Sequence, residues 1–245
     1  MKRKSLFVLI SAILFLLVIS ILVYFLVIKN KNTNKNENTD TNKNGTEETN
    51  INSYPWGQNV LAEYDFSSGA GSWYEHIWYK ATSANGEVSY QDDGVHFKSL
   101  VGNTRSGIMI DINKDVSTYK SIILTTTVTA KAQSLSGTGW QAREAPVAIA
   151  VAYKDVNGVD HKSLSEDPSS SQNMFWRGFY YLNPTDSNSK TTNGVKVVQN
   201  TPYEFSYDLT KISPKPSYIY FVGLEGAGWA PREGIVKNIK ILGSW

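Results

Sequence analysis

The sequence predicts an antiparallel all-β domain at residues 54–245, preceded by one N-terminal transmembrane helix and a disordered linker. Three observations carry this. Residues 6–28 form an apolar run broken only by Ser11 and Ser20. Residues 29–53 are rich in Asn, Lys, Thr and Glu with almost nothing apolar. Beyond them, short aromatic and β-branched runs are divided by Gly, Asn, Asp and Pro.

Crossing the hydrocarbon core of a bilayer takes about 20 helical residues, which residues 6–28 supply. A cleaved signal peptide has a shorter apolar core, about 7–15 residues, followed by a small-residue cleavage site. Tyr24, Phe25 and Leu26 stand where that site would be, so an uncleaved signal anchor is the expectation and residues 1–28 read as a short cytoplasmic tail plus membrane helix. Lys2, Arg3 and Lys4 precede the span while Lys29, Lys31 and Lys35 follow it. The positive-inside rule discriminates little between these flanks. The very short N-terminal tail favours a cytoplasmic N-terminus and an extracytoplasmic C-terminal domain at the cell membrane.

Residues 29–53 cannot bury enough apolar surface to offset the entropy of ordering them, so a disordered linker is expected. A flexible chain of that length reaches about 25–30 Å.

In residues 54–245 the strand-like runs are 60–66, 72–78, 87–91, 95–100, 107–112, 122–131, 147–153, 174–182, 195–199, 203–208, 218–224 and 235–242. Val147, Ile149 and Val151 alternate with Ala148, Ala150 and Ala152. Phe205 and Tyr207 alternate with Glu204, Ser206 and Asp208. Period-2 alternation marks half-buried antiparallel strands. Asp93-Gly94 and Asn157-Gly158 supply hairpin turns, because both dipeptides accept positive φ. Many short strands at near-regular spacing mean a sandwich or a barrel.

Composition closes several routes to chemistry. The chain has no cysteine, which removes disulfides, thiolate nucleophiles and cysteine metal sites. Lys and Arg number 24 against 22 Asp and Glu, a net charge of +2. That balance offers no basis for nucleic-acid binding. The three histidines, His76, His96 and His161, lack close metal-ligand spacing. No Gly-x-Ser-x-Gly elbow or glycine-rich phosphate loop occurs. Glu144, Glu225 and Glu233 are carboxylates that could face one another, but nothing singles them out as a glycosidase pair. The reading is non-enzymatic.

Three stretches resemble the galactose-binding-domain-like jelly-roll β-sandwich of carbohydrate-binding modules. AEYDFSSGAGSW at 62–73 resembles its opening strand. DINKDVSTYKSIILTTTVTA at 111–130 is similar to its approach to the sheet. FSYDLTKISPKPSYIYFVGLEG, followed by GIVKNIKIL, resembles its last three strands, with a final strand that pairs back to the first. The resemblance implies a jelly roll and a non-catalytic sugar-binding role. Such modules often carry a structural calcium near the first and last strands. Here Glu63 and Asp65 are available, but Lys237 and Asn238 stand where an Asp is expected, so no cofactor is assigned and calcium is the only candidate.

The aromatic residues then supply candidate ligand contacts. A sugar packs a C–H face on an aromatic ring while its hydroxyls need fixed polar partners. Trp140 lies close to Arg143 and Glu144, Trp176 beside Arg177 with Tyr180 following, and Trp229 close to Arg232. If these segments converge, they form an aromatic platform with charged hydrogen-bonding groups. The competing reading makes them core aromatics and loop-holding ion pairs. The expectation is a membrane-anchored extracytoplasmic module for a glycan; the alternative is a structural or protein-binding ectodomain of the same fold, partnering a surface protein. Exposure of the tryptophans decides between them.

Overall fold

The computed structural model describes residues 57–76, 86–164, 170–185, 187 and 189–245. The expected membrane span and linker lie outside these residues. Among the described residues, no helix is long and apolar enough to cross a membrane.

Residues Asn52–Trp245 form a compact unit of their own. Its described strands are β1 (Gln58–Asp65), β2 (Tyr74–Glu75), β3 (Glu87–Gln91), β4 (Gly94–Ser99), β5 (Asn103–Asp115), β6 (Ser121–Ala132), β7 (Ala145–Asp155), β8 (Asp160–His161), β9 (Phe175–Tyr180), β10 (Gly194–Lys196), β11 (Tyr203–Asp208), β12 (Pro216–Trp229) and β13 (Arg232–Ser244). They make two sheets. One runs β11-β6-β13-β4-β3, with β1 also on β13; the other runs β10-β9-β7-β12-β5-β2, with β8 on β7. The all-β sandwich expected from the alternation is therefore present. Its pairings are antiparallel except for β10 with β9. The last strand pairs back with the first, Gln58 opposite Ser244 and Asp65 opposite Asn238.

The core between the sheets is built from alternating positions. Ile122, Leu124 and Val128 of β6 meet Val147, Ile149 and Val151 of β7, with Phe97, Phe179, Leu224 and Ile239 filling the space. Burial of such side chains contributes about 1.5–3 kcal/mol each. This core and the first-to-last strand pair are supplied entirely by residues of this unit. Both predicted glycine turns occur. Gly94 has φ +130° and Gly158 φ +84°, and the Asp155 carboxylate accepts N–H bonds from Asn157 and Val159 across the second turn.

Two local expectations need correction. The alanine face of β7 is not exposed: Ala148, Ala150 and Ala152 pack with Leu164, Met174 and Trp176 in a second cluster outside the sandwich core. Strand β12 also runs on to Trp229, beyond the expected end at residue 224. It is paired on both sides, with Glu225 opposite Ala148 of β7 and Gly107 of β5. Two neighbours supply enough backbone hydrogen bonds to keep a glycine-rich segment extended.

The topology gathers three connections at one pole. Arg232 lies opposite Ser99, Trp229 opposite Asn103, and Ala227 opposite Ala145. The β4–β5, β6–β7 and β12–β13 connections thus meet at the end of the sandwich away from the Gln58–Ser244 pair.

Candidate ligand-binding cleft

The pole holds an open cavity of about 430 Å³ lined by Asn103, Leu135, Trp140, Gln141, Glu144 and Trp229. Small-molecule sites span about 300–1,000 Å³. Trp140 is 66% and Trp229 53% exposed, so both indoles remain available to a ligand.

The walls are fixed by local hydrogen bonds. Gln133 begins the β6–β7 connection. Its amide Nε2 donates to the carbonyls of Leu135 and Gly137, and its Oε1 accepts from the Tyr181 and Leu182 N–H groups. The Glu144 N–H donates to the Thr138 carbonyl at 3.0 Å. The Glu144 carboxylate accepts the backbone N–H of Trp140. Gly139 has φ +71° and lies against that carboxylate, where a side chain would collide with it. Across the cleft, Ser134 Oγ donates to the Trp229 carbonyl at 2.6 Å, and the Ala230 N–H donates to Gly102 at 2.8 Å. Neither tryptophan therefore sits on a loose loop.

Behind the cleft lies a buried polar layer. Arg105 Nη1 donates to both Glu225 carboxylate oxygens at 3.1 and 3.2 Å. Arg105 Nη2 donates to the Arg143 carbonyl at 3.2 Å, fastening the Trp140 connection to the sheet. Trp176 Nε1 donates to Glu225 at 2.8 Å. Arg232 Nη2 donates to the Thr104 and Ser106 hydroxyls. Burial pushes the Arg232 guanidinium down to about 10, with Glu225 opposing the shift and Arg105 adding to it.

The eight residues singled out from sequence thus divide. Trp140, Glu144 and Trp229 line the cleft. Trp176 (3% exposed), Tyr180, Arg143 and Arg232 are buried and offer no surface to a ligand. Trp176 lies on the outer face of its sheet, but the second cluster covers it. Arg232 reaches the Thr104 and Ser106 hydroxyls between the strands, and Arg143 is held below its loop with 2% exposure. Arg177 is half-buried, bonded to Asn193 and placed over the rings of Phe175 and Tyr207. The expected pairing of a Trp with an Arg on an exposed platform is replaced by two exposed indoles with a carboxylate between them. Asn103 and Leu135 were not foreseen; no local pattern marks either one.

Near the first and last strands, Glu63 pairs with Lys240 at 2.9 Å and Asp65 caps a short helical turn by accepting the Ser67 N–H. Among the described residues no cluster of three or more acidic or histidine side chains could hold a metal.

Burial raises the Glu144 carboxyl above its ordinary value, opposed by Arg105 and by the Trp140 N–H. A carboxyl raised on folding favours the folded state below its unfolded value, and that contribution is lost as pH rises through the folded one. Glu144→Gln is therefore expected to raise stability at neutral pH and to flatten the pH dependence just above the ordinary glutamate range. Urea unfolding of both proteins across pH 4–7 checks this; an unchanged profile would place Glu144 in bulk-like solvent.

No protein-family model matches the chain, and no curated protein matches it in sequence. Solved structures similar to it include the xylan-binding module CBM15 (14% identity, 77% of this chain and 97% of that one, TM-score 0.39). A family 11 carbohydrate-binding module from Clostridium thermocellum aligns at 12% identity over 76% of this chain and 95% of its own, with TM-score 0.40. The carbohydrate recognition domain of Emp47p aligns at 11% identity over 79% and 100%, with TM-score 0.44.

Proposed function

We propose that residues 54–245 form a non-catalytic jelly-roll module that binds a carbohydrate, held outside the cell membrane by an uncleaved anchor at residues 6–28 and a linker at 29–53. One observation carries the binding reading: Trp140 and Trp229 stand exposed on one cavity whose polar lining is Asn103, Gln141 and Glu144. Indole faces take the C–H face of a sugar ring, and the amides and carboxylate take its hydroxyls. Leaving two large aromatics in water on fixed backbone is what a binding surface requires, since aromatic anchors dominate interface energetics. The length of the apolar run and the polarity of the linker support the anchored arrangement.

A glycan array probed with residues 52–245, with tryptophan fluorescence following each hit, tests the reading. Trp140→Ala and Trp229→Ala are each expected to weaken binding by about 30-fold or more, the effect of losing an anchor of about 2 kcal/mol. Their melting temperatures should stay close to that of the parent. A folded domain that binds no glycan, or binding indifferent to both substitutions, would refute it.

A further inference from the structure

Among the described residues that line the cleft, one ionises. Asn103, Leu135, Trp140, Gln141 and Trp229 are neutral, and Glu144 is an acid. The Glu144 side chain is half-buried. Among the described residues no Lys, Arg or His forms an ion pair with it. The cations of this pole are engaged elsewhere or buried. Arg105 divides its donors between Glu225 and the Arg143 carbonyl. Arg143 is buried, and Arg232 reaches the Thr104 and Ser106 hydroxyls. Lys190 is joined by backbone bonds to Thr138 and Gly139, beside Trp140, while its ammonium donates to the Ser187 carbonyl at 3.4 Å.

A carboxylate withdrawn from water without a counter-ion costs stability. Here burial outweighs the attraction of Arg105 and the backbone N–H of Trp140, and it holds the Glu144 carboxyl above its ordinary value. A cation carried in by a ligand offsets that cost, because an opposite charge nearby favours the ionised form. The two exposed indoles favour the same sign of charge. The face of a tryptophan ring attracts a cation within about 6 Å of its centroid. A neutral hydroxyl in the same place leaves the carboxylate's charge unopposed, and an acidic sugar is repelled by it.

We propose that the cleft selects a glycan bearing a protonated amine, a de-N-acetylated amino sugar, whose ring packs on Trp140 and Trp229 while its ammonium pairs with Glu144. The inference rests on the sugar-binding reading of this cleft and adds to it the class of sugar. Affinity comes from the indoles. Selectivity comes from the carboxylate, and the Asn103 and Gln141 amides take the neutral hydroxyls.

The test is calorimetric titration of the full-length protein, in a nonionic detergent without a sugar headgroup, near neutral pH. The ligands are matched oligomers of glucosamine, N-acetylglucosamine and glucose, of one length and linkage. The glucosamine oligomer is expected to bind at least about 10-fold more tightly than either neutral one, the effect of one charge-assisted contact. Glu144→Gln, which keeps an oxygen for the backbone N–H of Trp140, should erase that preference. Equal affinity of the parent for the three oligomers, or a preference for a neutral one, overturns the proposal without any variant and leaves the sugar reading standing. A Glu144→Gln protein that still prefers the amine overturns it too, since the selecting charge then lies elsewhere. Binding of neutral array glycans alone, with no amine-bearing oligomer bound, has the same meaning. A folded protein that binds no glycan of any kind sinks the sugar reading and this inference together.

Discussion

Replacing Glu225 with alanine is expected to cost the domain about 3–5 kcal/mol, the magnitude typical of breaking a buried ion pair by removing one partner. Glu225 is 1% exposed and faces Arg105 at 3.1 Å. In the variant the guanidinium keeps its desolvation cost without the carboxylate it faces. The Trp176 N–H loses its acceptor in the same step. Guanidinium chloride unfolding reads the effect as a lower midpoint with an unchanged slope. An Arg105→Met/Glu225→Leu double variant should recover much of the loss, because replacing both charges by apolar groups of similar volume removes the desolvation cost with the attraction. A loss below about 1 kcal/mol in Glu225→Ala would mean that water reaches this layer. The pair has a second consequence. Arg105 also holds the Arg143 carbonyl, so Glu225→Ala should loosen the Trp140 connection and weaken ligand binding without touching a lining residue.

The second large effect separates two tryptophans that look alike in sequence. Trp176→Ala is expected to destabilise by about 3–5 kcal/mol, as for other buried large-to-small changes. The indole is packed against Gly178 and Ala145, and a side chain at Gly178 would strike its ring. Trp176→Phe keeps most of the volume and loses only the N–H bond to Glu225, for about 1–3 kcal/mol. Trp140→Ala should change stability by no more than about 0.5 kcal/mol, since the side chain is largely in water. Losses at Trp176 and Glu225 will not add, because the two share a hydrogen bond. Equal stability in the Trp176 and Trp140 variants would contradict the burial described here.

What could be read along the chain was what depends on neighbouring residues. The alternation of Val147 to Ala152 and of Glu204 to Asp208 set strands whose faces the structure reproduces, because side-chain direction in a strand follows from the pleat alone. Gly94 and Gly158 marked their turns through φ. Trp140, Glu144 and Trp229 could be nominated because aromatic and carboxylate groups stood together near turns.

The remaining site questions turned on coverage, which is not local. For Trp176 the residues left ligand contact and core burial open; it sits on the outer face of its sheet, and Leu164 and Met174, from the chain that precedes β9, pack over that face and bury it. Arg143 and Arg232 are close in sequence to the two cleft tryptophans. Arg232 turns inward to the Thr104 and Ser106 hydroxyls, brought from β5, and Arg143 is buried where Arg105 of the same strand holds its carbonyl. The chain alone determined an antiparallel sandwich and a short list of aromatic candidates. Only the tertiary structure decided which of them face water, because exposure depends on what distant segments lay across each face.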